Sequence, residues 1–221
     1  MPPLIDRDSL AAAVVVAAVI FSIAAELVAT YAGRLRDEST GPLRLLRDSL
    51  REVLLLRRSG DVGGDADRRA KRLVVAAVWT GLIVAFVLSK NAPALRVGAD
   101  MWTTLLLGVT IACLGTVLRG WSILTLGTFF RRDVMVETGQ AVIRDGPYRW
   151  LRHPSYAGTL VNTFGLALAF GSWVGAVLAL TIATLGHLPR IRVEEAELRE
   201  GLGEAYTGYA RTTARLVPHV W

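Results

Sequence analysis

Long apolar runs along most of the chain are the feature that restricts its fold most severely. A helix needs about 17 to 25 predominantly apolar residues to cross a bilayer, and Leu10–Ala32, Leu73–Ser89 and Met101–Leu118 each meet that requirement. A fourth run, Tyr156–Leu188, is interrupted by Gly171-Ser172, which is typical of a tight turn and predicts two short spans. We therefore expect an all-α, polytopic helical membrane protein with about five transmembrane helices.

The composition and charge agree with this fold class, and they argue against a soluble domain and against a nucleic-acid-binding protein. Hydrophobic residues make up 52% of the 221 positions, which is too apolar for a soluble domain of this size. The net charge is +6, but the basic residues flank apolar runs, so nucleic acid is not an expected partner. Cys113, the single cysteine, allows no intramolecular disulfide or thiolate metal cluster, and we interpret it as a buried, inert thiol.

The distribution of arginine predicts the orientation of the spans. Cytoplasmic loops carry an excess of Lys and Arg, and arginine is dense in Arg34–Arg72 and in the segment after the third span. Both connections should be cytoplasmic, with the N-terminus outside. The first run is longer than the apolar core of a signal peptide, so it should be retained as a span. The preference for arginine over lysine is typical of a GC-rich bacterial genome, which implies the bacterial inner membrane.

Two stretches between the spans have patterns of their own. Leu43–Leu54 repeats Leu and Val at helical spacing with Arg on the other face, which predicts a basic amphipathic helix on the inner leaflet. Residues 133–143 alternate Val with polar residues, which predicts a short extended segment or hairpin. We divide the chain into an N-terminal transmembrane region, 1–130, and a C-terminal region, 131–221, which contains two polar clusters and ends in an amphipathic helix.

The first polar cluster, Gly146–Gly158, precedes the interrupted apolar run and contains Arg, His and two Tyr. Pro147 and Pro154 both interrupt regular helix, so the backbone between them should be irregular, with N–H and C=O groups available to a ligand. This arrangement predicts a polar site at a membrane surface.

The second polar cluster, Arg190–Glu195, follows the last apolar run. His187, Arg190 and Glu194 are three and four positions apart, so they share one side of a helix and can face the first cluster. The alternative is that these charges only anchor the end of a span and pair with one another.

Several common catalytic motifs are absent from the sequence. No glycine-rich turn of the soluble nucleotide-binding type occurs, and neither does a Gly-x-Ser-x-Gly elbow or a His/Glu pair at metal-ligand spacing. The sequence therefore predicts neither a metal site nor hydrolase chemistry.

The two clusters follow the pattern of a known family. The pattern comprises Gly146-Pro147-Tyr148-Arg149, then Arg152-His153-Pro154-Ser155-Tyr156-x-Gly158, then Arg190-x-x-x-Glu194-Glu195, and finally Leu198, Gly203, Tyr206, Tyr209 and Pro218. From Phe130 to Pro218 the chain resembles the isoprenylcysteine carboxyl methyltransferases, integral membrane enzymes that use S-adenosylmethionine. The resemblance implies methyl transfer, at a cytoplasmic site, to the carboxylate of a lipophilic, isoprenylcysteine-like acceptor that enters from the bilayer.

The resemblance also implies which residues bind the two reactants. Arg190 matches the arginine that binds the carboxylate of the acceptor. The cofactor contacts fall on Gln140, Ala141, Val142, Ile143, Tyr148, His153, Pro154, Ser155, Tyr156 and Glu194. Of these, Tyr148 and Tyr156 can cover the adenine, and Glu194 can accept a hydrogen bond from the ammonium or a hydroxyl group of the cofactor.

Elementary chemistry is compatible with this reaction. A carboxylate is ionised at pH 7 because its unperturbed pKa is about 4, and S-adenosylmethionine carries a sulfonium cation. Attack on the methyl group annihilates two charges, so a water-poor site accelerates it and no general base is required. The protein has to align the reactants. A guanidinium suits a planar carboxylate, although too tight a pair stabilises the ground state.

Two other functions fit parts of the sequence. An NADPH-dependent membrane reductase of the steroid 5-alpha-reductase type is similar near the last two spans, but it has a Gly-Glu pair where Gly158 is followed here by Thr159. A non-catalytic membrane scaffold would keep the fold without the chemistry, whereas this chain retains the polar residues of both clusters. A fatty or thiol-bearing small molecule is an alternative acceptor.

Polar side chains inside the spans have two interpretations. Glu26 lies about two turns from the cytoplasmic end of the first span, and we interpret it as a structural residue that snorkels or pairs with an arginine. Thr159, Asn162 and Thr163 share a face with Tyr156; they either hydrogen-bond to a neighbouring helix or line a tunnel for the acceptor.

Overall fold

The structure is a computed structural model that describes residues 7–34, 65–92, 94, 100–127 and 142–218. Helices account for nearly all of these residues. The helices are α1 (Arg7–Arg34), α2 (Asp65–Asn91), α3 (Met101–Leu126), α4 (Pro154–Ala169) and α5 (Trp173–Thr212), with a 3-10 turn, Gly146–Arg149, before α4. Strand-like pairing in the described part of the chain is limited to an isolated bridge between Leu151 and Ala214. The predicted all-α fold class is confirmed. The expected amphipathic helix Leu43–Leu54, the extended segment up to residue 141 and the side chain of Glu26 lie outside the described residues.

Small side chains make many of the contacts between the helices, and many large apolar side chains lie on the outer surface. Ala85, Ala176 and Ala183 are fully buried, whereas Trp79 and Leu106 are more than half exposed. This arrangement suits a lipid environment, where close backbone packing holds helices together. Among the described helices, α2, α3 and α5 are long and apolar enough to cross a membrane, and Ala13–Ala25 of α1 forms a shorter apolar helix. Helix α4 has 16 residues. The chain is therefore a polytopic integral membrane protein.

The free thiol of Cys113 is partly exposed on α3, so the expectation that it is buried is wrong. Successive residues of a helix point about 100° apart. Ala112 takes the buried position and Leu114 the exposed one, which leaves Cys113 at the boundary between them.

Glycines allow α3 and α4 to pack closely. Gly108 and Gly115 of α3 face Gly165 and Gly158 of α4, and the two glycines in each helix are seven residues apart. A Cβ added at Gly165 would lie 2.3 Å from the backbone nitrogen of Ala112. The two backbones are therefore in direct contact along this interface, as is common for membrane helices with small residues at regular spacing.

We expect Gly165→Ala to destabilise the protein by about 1 to 3 kcal/mol, because the added methyl group forces α3 and α4 apart. The measurement is thermal unfolding in detergent. Gly208→Ala is the matched control, since a Cβ there meets nothing within 4 Å. Equal midpoints for the two variants would show that α3 and α4 do not approach this closely.

Asn162 joins three helices through its side-chain amide. Its Nδ2 lies 3.0 Å from Ser22 Oγ of α1 and 3.0 Å from both Ala112 O and Thr116 Oγ1 of α3. The interpretation of Asn162 as a residue that hydrogen-bonds between helices is confirmed.

The predicted turn between the last two spans is present. Gly171 has φ 91° and Ser172 Oγ accepts a hydrogen bond from Gly175 N at 3.1 Å, which caps α5. The apolar part of α5, Trp173–Leu188, continues without interruption into the second polar cluster. Because α2 packs along α5, the first turn of α2 lies beside that cluster.

Candidate active site

The first cluster has the irregular backbone that its prolines predict, but part of that backbone is already hydrogen-bonded. Pro147 lies in the 3-10 turn and Pro154 is the first residue of α4. Between them, the N–H groups of Arg152 and His153 donate to carbonyls of the segment after α5 at 2.7 and 3.1 Å. The prediction that these groups are available to a ligand is therefore wrong at both positions, because the C-terminal segment occupies them.

Tyr209 holds the first cluster against α5. Its hydroxyl lies 2.6 Å from the carbonyl oxygen of Tyr148 and 3.2 Å from that of Leu151. Gly203, with φ 56° and ψ −128°, interrupts the helical geometry of α5. That backbone conformation is accessible to glycine and costly for other residues, and it lets the last turns of α5 change direction before they reach the cluster.

Tyr156 connects the two clusters. Its hydroxyl donates to Glu194 Oε2 at 2.7 Å and accepts from Arg190 Nε at 3.1 Å. Its ring stacks on His153, with centroids 5.6 Å apart, and meets the edge of His187 at 5.3 Å. The prediction that His187, Arg190 and Glu194 face the first cluster is confirmed.

Arg190 is 5% exposed and forms an ion pair, through Nη1, with Asp67 Oδ1 in the first turn of α2. Lys71 Nζ lies 2.9 Å from the other carboxylate oxygen of Asp67. A residue that only anchored a helix end would lie at the surface, so the anchoring alternative does not describe Arg190. No sequence signal distinguished Asp67, because it lies in a charged run ahead of a span.

Glu195 is a second buried carboxylate, and it organises the arginines behind the site. Its oxygens accept two hydrogen bonds from Arg215, both at 3.1 Å, and lie 2.9 Å from Arg152 and Arg199 and 3.4 Å from His153. Burial alone would raise the pKa of Glu195, but the hydrogen bonds from His153 and Arg215 and the charge of Arg152 outweigh it and lower the pKa to about 2. Glu195 belongs to the family pattern, but its position in the sequence did not predict a role different from that of Glu194.

Glu194 differs from its neighbour in accessibility. Its side chain is 29% exposed, against 2% for Glu195. Its Oε2 accepts the hydrogen bond from Tyr156 and lies 3.7 Å from Nδ1 of His153. Glu195 is therefore saturated by the protein, whereas Glu194 presents a carboxylate to the surroundings of Tyr156.

The structure describes all but two of the remaining predicted cofactor residues. Val142 and Ile143 are half-buried ahead of the 3-10 turn, Tyr148, Pro154 and Ser155 are buried, and Gln140 and Ala141 lie outside the described residues. Ser155 Oγ accepts a hydrogen bond from Arg119 Nη1 of α3 at 2.7 Å. The arginines that follow the third span indicate only its orientation, so the contact of Arg119 with α4 is one that the sequence did not predict.

The fold and site together define a helical integral membrane protein with a charged, aromatic site at one end of its last two spans. Residues 106–200 match the model of the isoprenylcysteine carboxyl methyltransferase (ICMT) family. This region contains both polar clusters. Over these residues, which are fewer than half of the chain, the protein is similar to the isoprenylcysteine carboxyl methyltransferases.

Several relatives are similar to part of this chain. Protein-S-isoprenylcysteine O-methyltransferase B of Arabidopsis thaliana is 30% identical over 115 residues, which cover 51% of this chain and 58% of the relative. The uncharacterized protein YpbQ of Bacillus subtilis is 27% identical over 95 residues, which cover 42% and 56%. The chain thus spans less than two thirds of the length of these relatives.

A solved structure shares the fold. The eukaryotic intramembrane Ras methyltransferase ICMT superposes with a TM-score of 0.56 at 23% sequence identity, over 81% of this chain and 64% of that chain. The similarity extends beyond the region of the family match, so the arrangement of the spans is common to both proteins.

Proposed function

We propose that this chain is an S-adenosylmethionine-dependent integral membrane methyltransferase that methylates the carboxylate of a lipophilic, isoprenylcysteine-like acceptor. The observation that carries the proposal is the Tyr156 hydroxyl, which touches both Arg190 and Glu194. The guanidinium of Arg190 and the carboxylate of Glu194 thus lie on either side of one hydroxyl group. The two reactants have the complementary charges, an anionic carboxylate and a cationic cofactor.

The residues around Tyr156 fit S-adenosylmethionine. The accessible carboxylate of Glu194 suits a cationic ligand, and the stacked rings of His153 and Tyr156 offer an aromatic surface. His187 Nδ1 lies 2.7 Å from Ala183 O, while its buried Nε2 has no hydrogen-bond partner within the described residues. A buried polar atom of this kind is usually satisfied by a ligand or water. When bound, the cofactor supplies an electrophilic methyl group.

The chain itself contributes binding, orientation and exclusion of water. Arg190 binds the acceptor carboxylate. The Tyr156 hydroxyl holds the guanidinium of Arg190 from one side. Both His153 and His187 are buried beside Tyr156, which keeps bulk water from the reacting oxygen. Because the carboxylate is already ionised at neutral pH, none of these residues has to accept a proton.

The surroundings of the site support the proposed acceptor and orientation. The apolar outer surface of α2, α3 and α5 allows a prenylated or fatty molecule to approach from the bilayer. The arginines near the site, together with the positive-inside rule, support a cytoplasmic active site with the N-terminus outside, in a bacterial inner membrane.

Ligand titration of the detergent-purified protein tests this function. We expect S-adenosylhomocysteine to bind and NADPH not to bind; the reverse result would favour the reductase. We expect Glu194→Gln to weaken S-adenosylhomocysteine binding by about 10- to 100-fold, since a hydrogen bond to a charged group contributes about 1.5 to 3 kcal/mol. His153→Ala should weaken it as well.

Glu200→Gln is the control for Glu194→Gln, because Glu200 is exposed on the same helix. The unfolding midpoint of each variant is measured alongside, since His153 also contacts Glu195. Unchanged affinity in a stable Glu194→Gln variant would remove Glu194 from the cofactor pocket.

A further inference from the structure

The start of α2 contributes a carboxylate to the site from outside the region of the family match. Asp67 is 1% exposed and lies between two cations, Arg190 on α5 and Lys71 one turn further along α2. The family match covers residues 106–200 only. Asp67 therefore represents a feature of this chain that the comparison does not assign.

We propose that Asp67 is a positioning residue that moderates the attraction between Arg190 and the acceptor carboxylate, an inference that rests on the proposed function. Nη1 of Arg190 is paired with Asp67, and its Nε donates to Tyr156. These two contacts fix the plane of the guanidinium from two helices. They also mean that an incoming carboxylate meets a cation that already has a counterion.

This moderation matters because the charge on the acceptor changes during the reaction. A carboxylate oxygen forms a bond to the methyl carbon while the methyl–sulfur bond breaks, and the electron pair stays on sulfur. The negative charge of the acceptor is thus largest in the ground state and declines toward the transition state. An unmoderated Arg190 would stabilise the ground state more than the transition state, which improves binding and slows the chemical step.

Lys71 acts in the opposite sense within the same group. It shares the carboxylate of Asp67 with Arg190, so removing its charge leaves Asp67 more strongly associated with Arg190. The affinity of the site for a carboxylate should then decrease. Substitution of Asp67 should therefore raise the affinity for a carboxylate, and substitution of Lys71 should lower it. A purely structural role for the ion pairs does not predict opposite changes.

The test is steady-state methylation of N-acetyl-S-farnesylcysteine by Asp67→Asn. We expect both KM and kcat to fall by about 3- to 10-fold, with kcat/KM changed less than about 3-fold, which is the pattern of ground-state stabilisation. Asp65→Asn is the matched control, because Asp65 lies in the same turn, is exposed and pairs with Arg68 at 2.5 Å. A rise in KM for Asp67→Asn would overturn the proposal.

Lys71→Met provides a second variant that does not disturb the buried pair, since the Lys71 side chain is 30% exposed. We expect its KM to rise by about 2- to 3-fold with kcat unchanged or higher. A fall in KM would contradict the proposal even if Asp67→Asn does not fold.

Equilibrium binding gives a readout that does not require turnover. Asp67→Asn should tighten binding of the N-acetyl-S-farnesylcysteine acid and leave its methyl ester unchanged; equal effects on both would contradict the inference. Wild-type protein that neither binds S-adenosylhomocysteine nor transfers methyl groups would contradict the proposed function. An active wild type whose Asp67→Asn variant binds the acid more weakly would contradict the role of Asp67 alone.

Discussion

Arg190→Lys will bind S-adenosylhomocysteine almost as well as the wild type but will lose about 10- to 100-fold in methyl transfer to N-acetyl-S-farnesylcysteine. Arg190 contacts Asp67 and Tyr156 through separate nitrogens of one planar group. A lysine ammonium keeps the charge but cannot make both contacts and also bind a planar carboxylate. The magnitude corresponds to the loss of one charge-assisted hydrogen bond, about 1.5 to 3 kcal/mol.

Arg192→Lys is the control for this substitution, because Arg192 is exposed on the same helix. Loss of S-adenosylhomocysteine binding in Arg190→Lys would assign Arg190 to the cofactor pocket or to the fold. Full transfer activity would mean that the acceptor is not recognised through a carboxylate, and a thiol or amine acceptor would then be the better hypothesis.

Glu195→Gln will unfold at a much lower temperature than the wild type, with a loss of about 3 to 5 kcal/mol. The substitution removes the negative charge on which Arg152, Arg215 and His153 converge, and a buried charge that loses its partner is strongly destabilising.

The pH dependence of unfolding identifies the cause. The folded pKa of Glu195 is below its unfolded value, so its stabilisation is fully present above pH 4.5 and is lost as the pH falls toward 2. The difference in stability between wild type and Glu195→Gln should therefore shrink over that range. Glu194→Gln, which leaves this cluster intact, should unfold close to the wild type at neutral pH. Equal destabilisation by both substitutions would show that the two glutamates have the same role.

The sequence predicted the helices well because their signals are local. Apolar runs of sufficient length define spans, Gly171-Ser172 supplies a turn, and the spacing of Arg190 and Glu194 fixes a shared helix face. The meeting of that face with Tyr156 was predictable for the same reason, since only one hairpin separates the two clusters. These features need no knowledge of distant contacts.

The sequence could not predict which charges the fold buries. Glu194 and Glu195 are adjacent and chemically identical, and their different roles arise from a rotation of about 100° that turns one toward Arg152 and Arg215. Asp67 resembles any acidic residue ahead of a span until α2 is packed along α5. Burial of a charge is a property of the tertiary contacts, so it appears only when the helices are assembled.

The contact between Tyr209 and the first cluster bears on how the protein is made. Tyr209 follows Tyr148 and Leu151 by 61 and 58 positions. At about 5 to 20 residues per second, the ribosome synthesises Tyr209 about 3 to 12 s after the residues that it holds. The first cluster is therefore synthesised several seconds before Tyr209 can hold it. Completion of the site thus depends on the last turns of α5, and a chain that stops before Tyr209 lacks the contact that holds the first cluster.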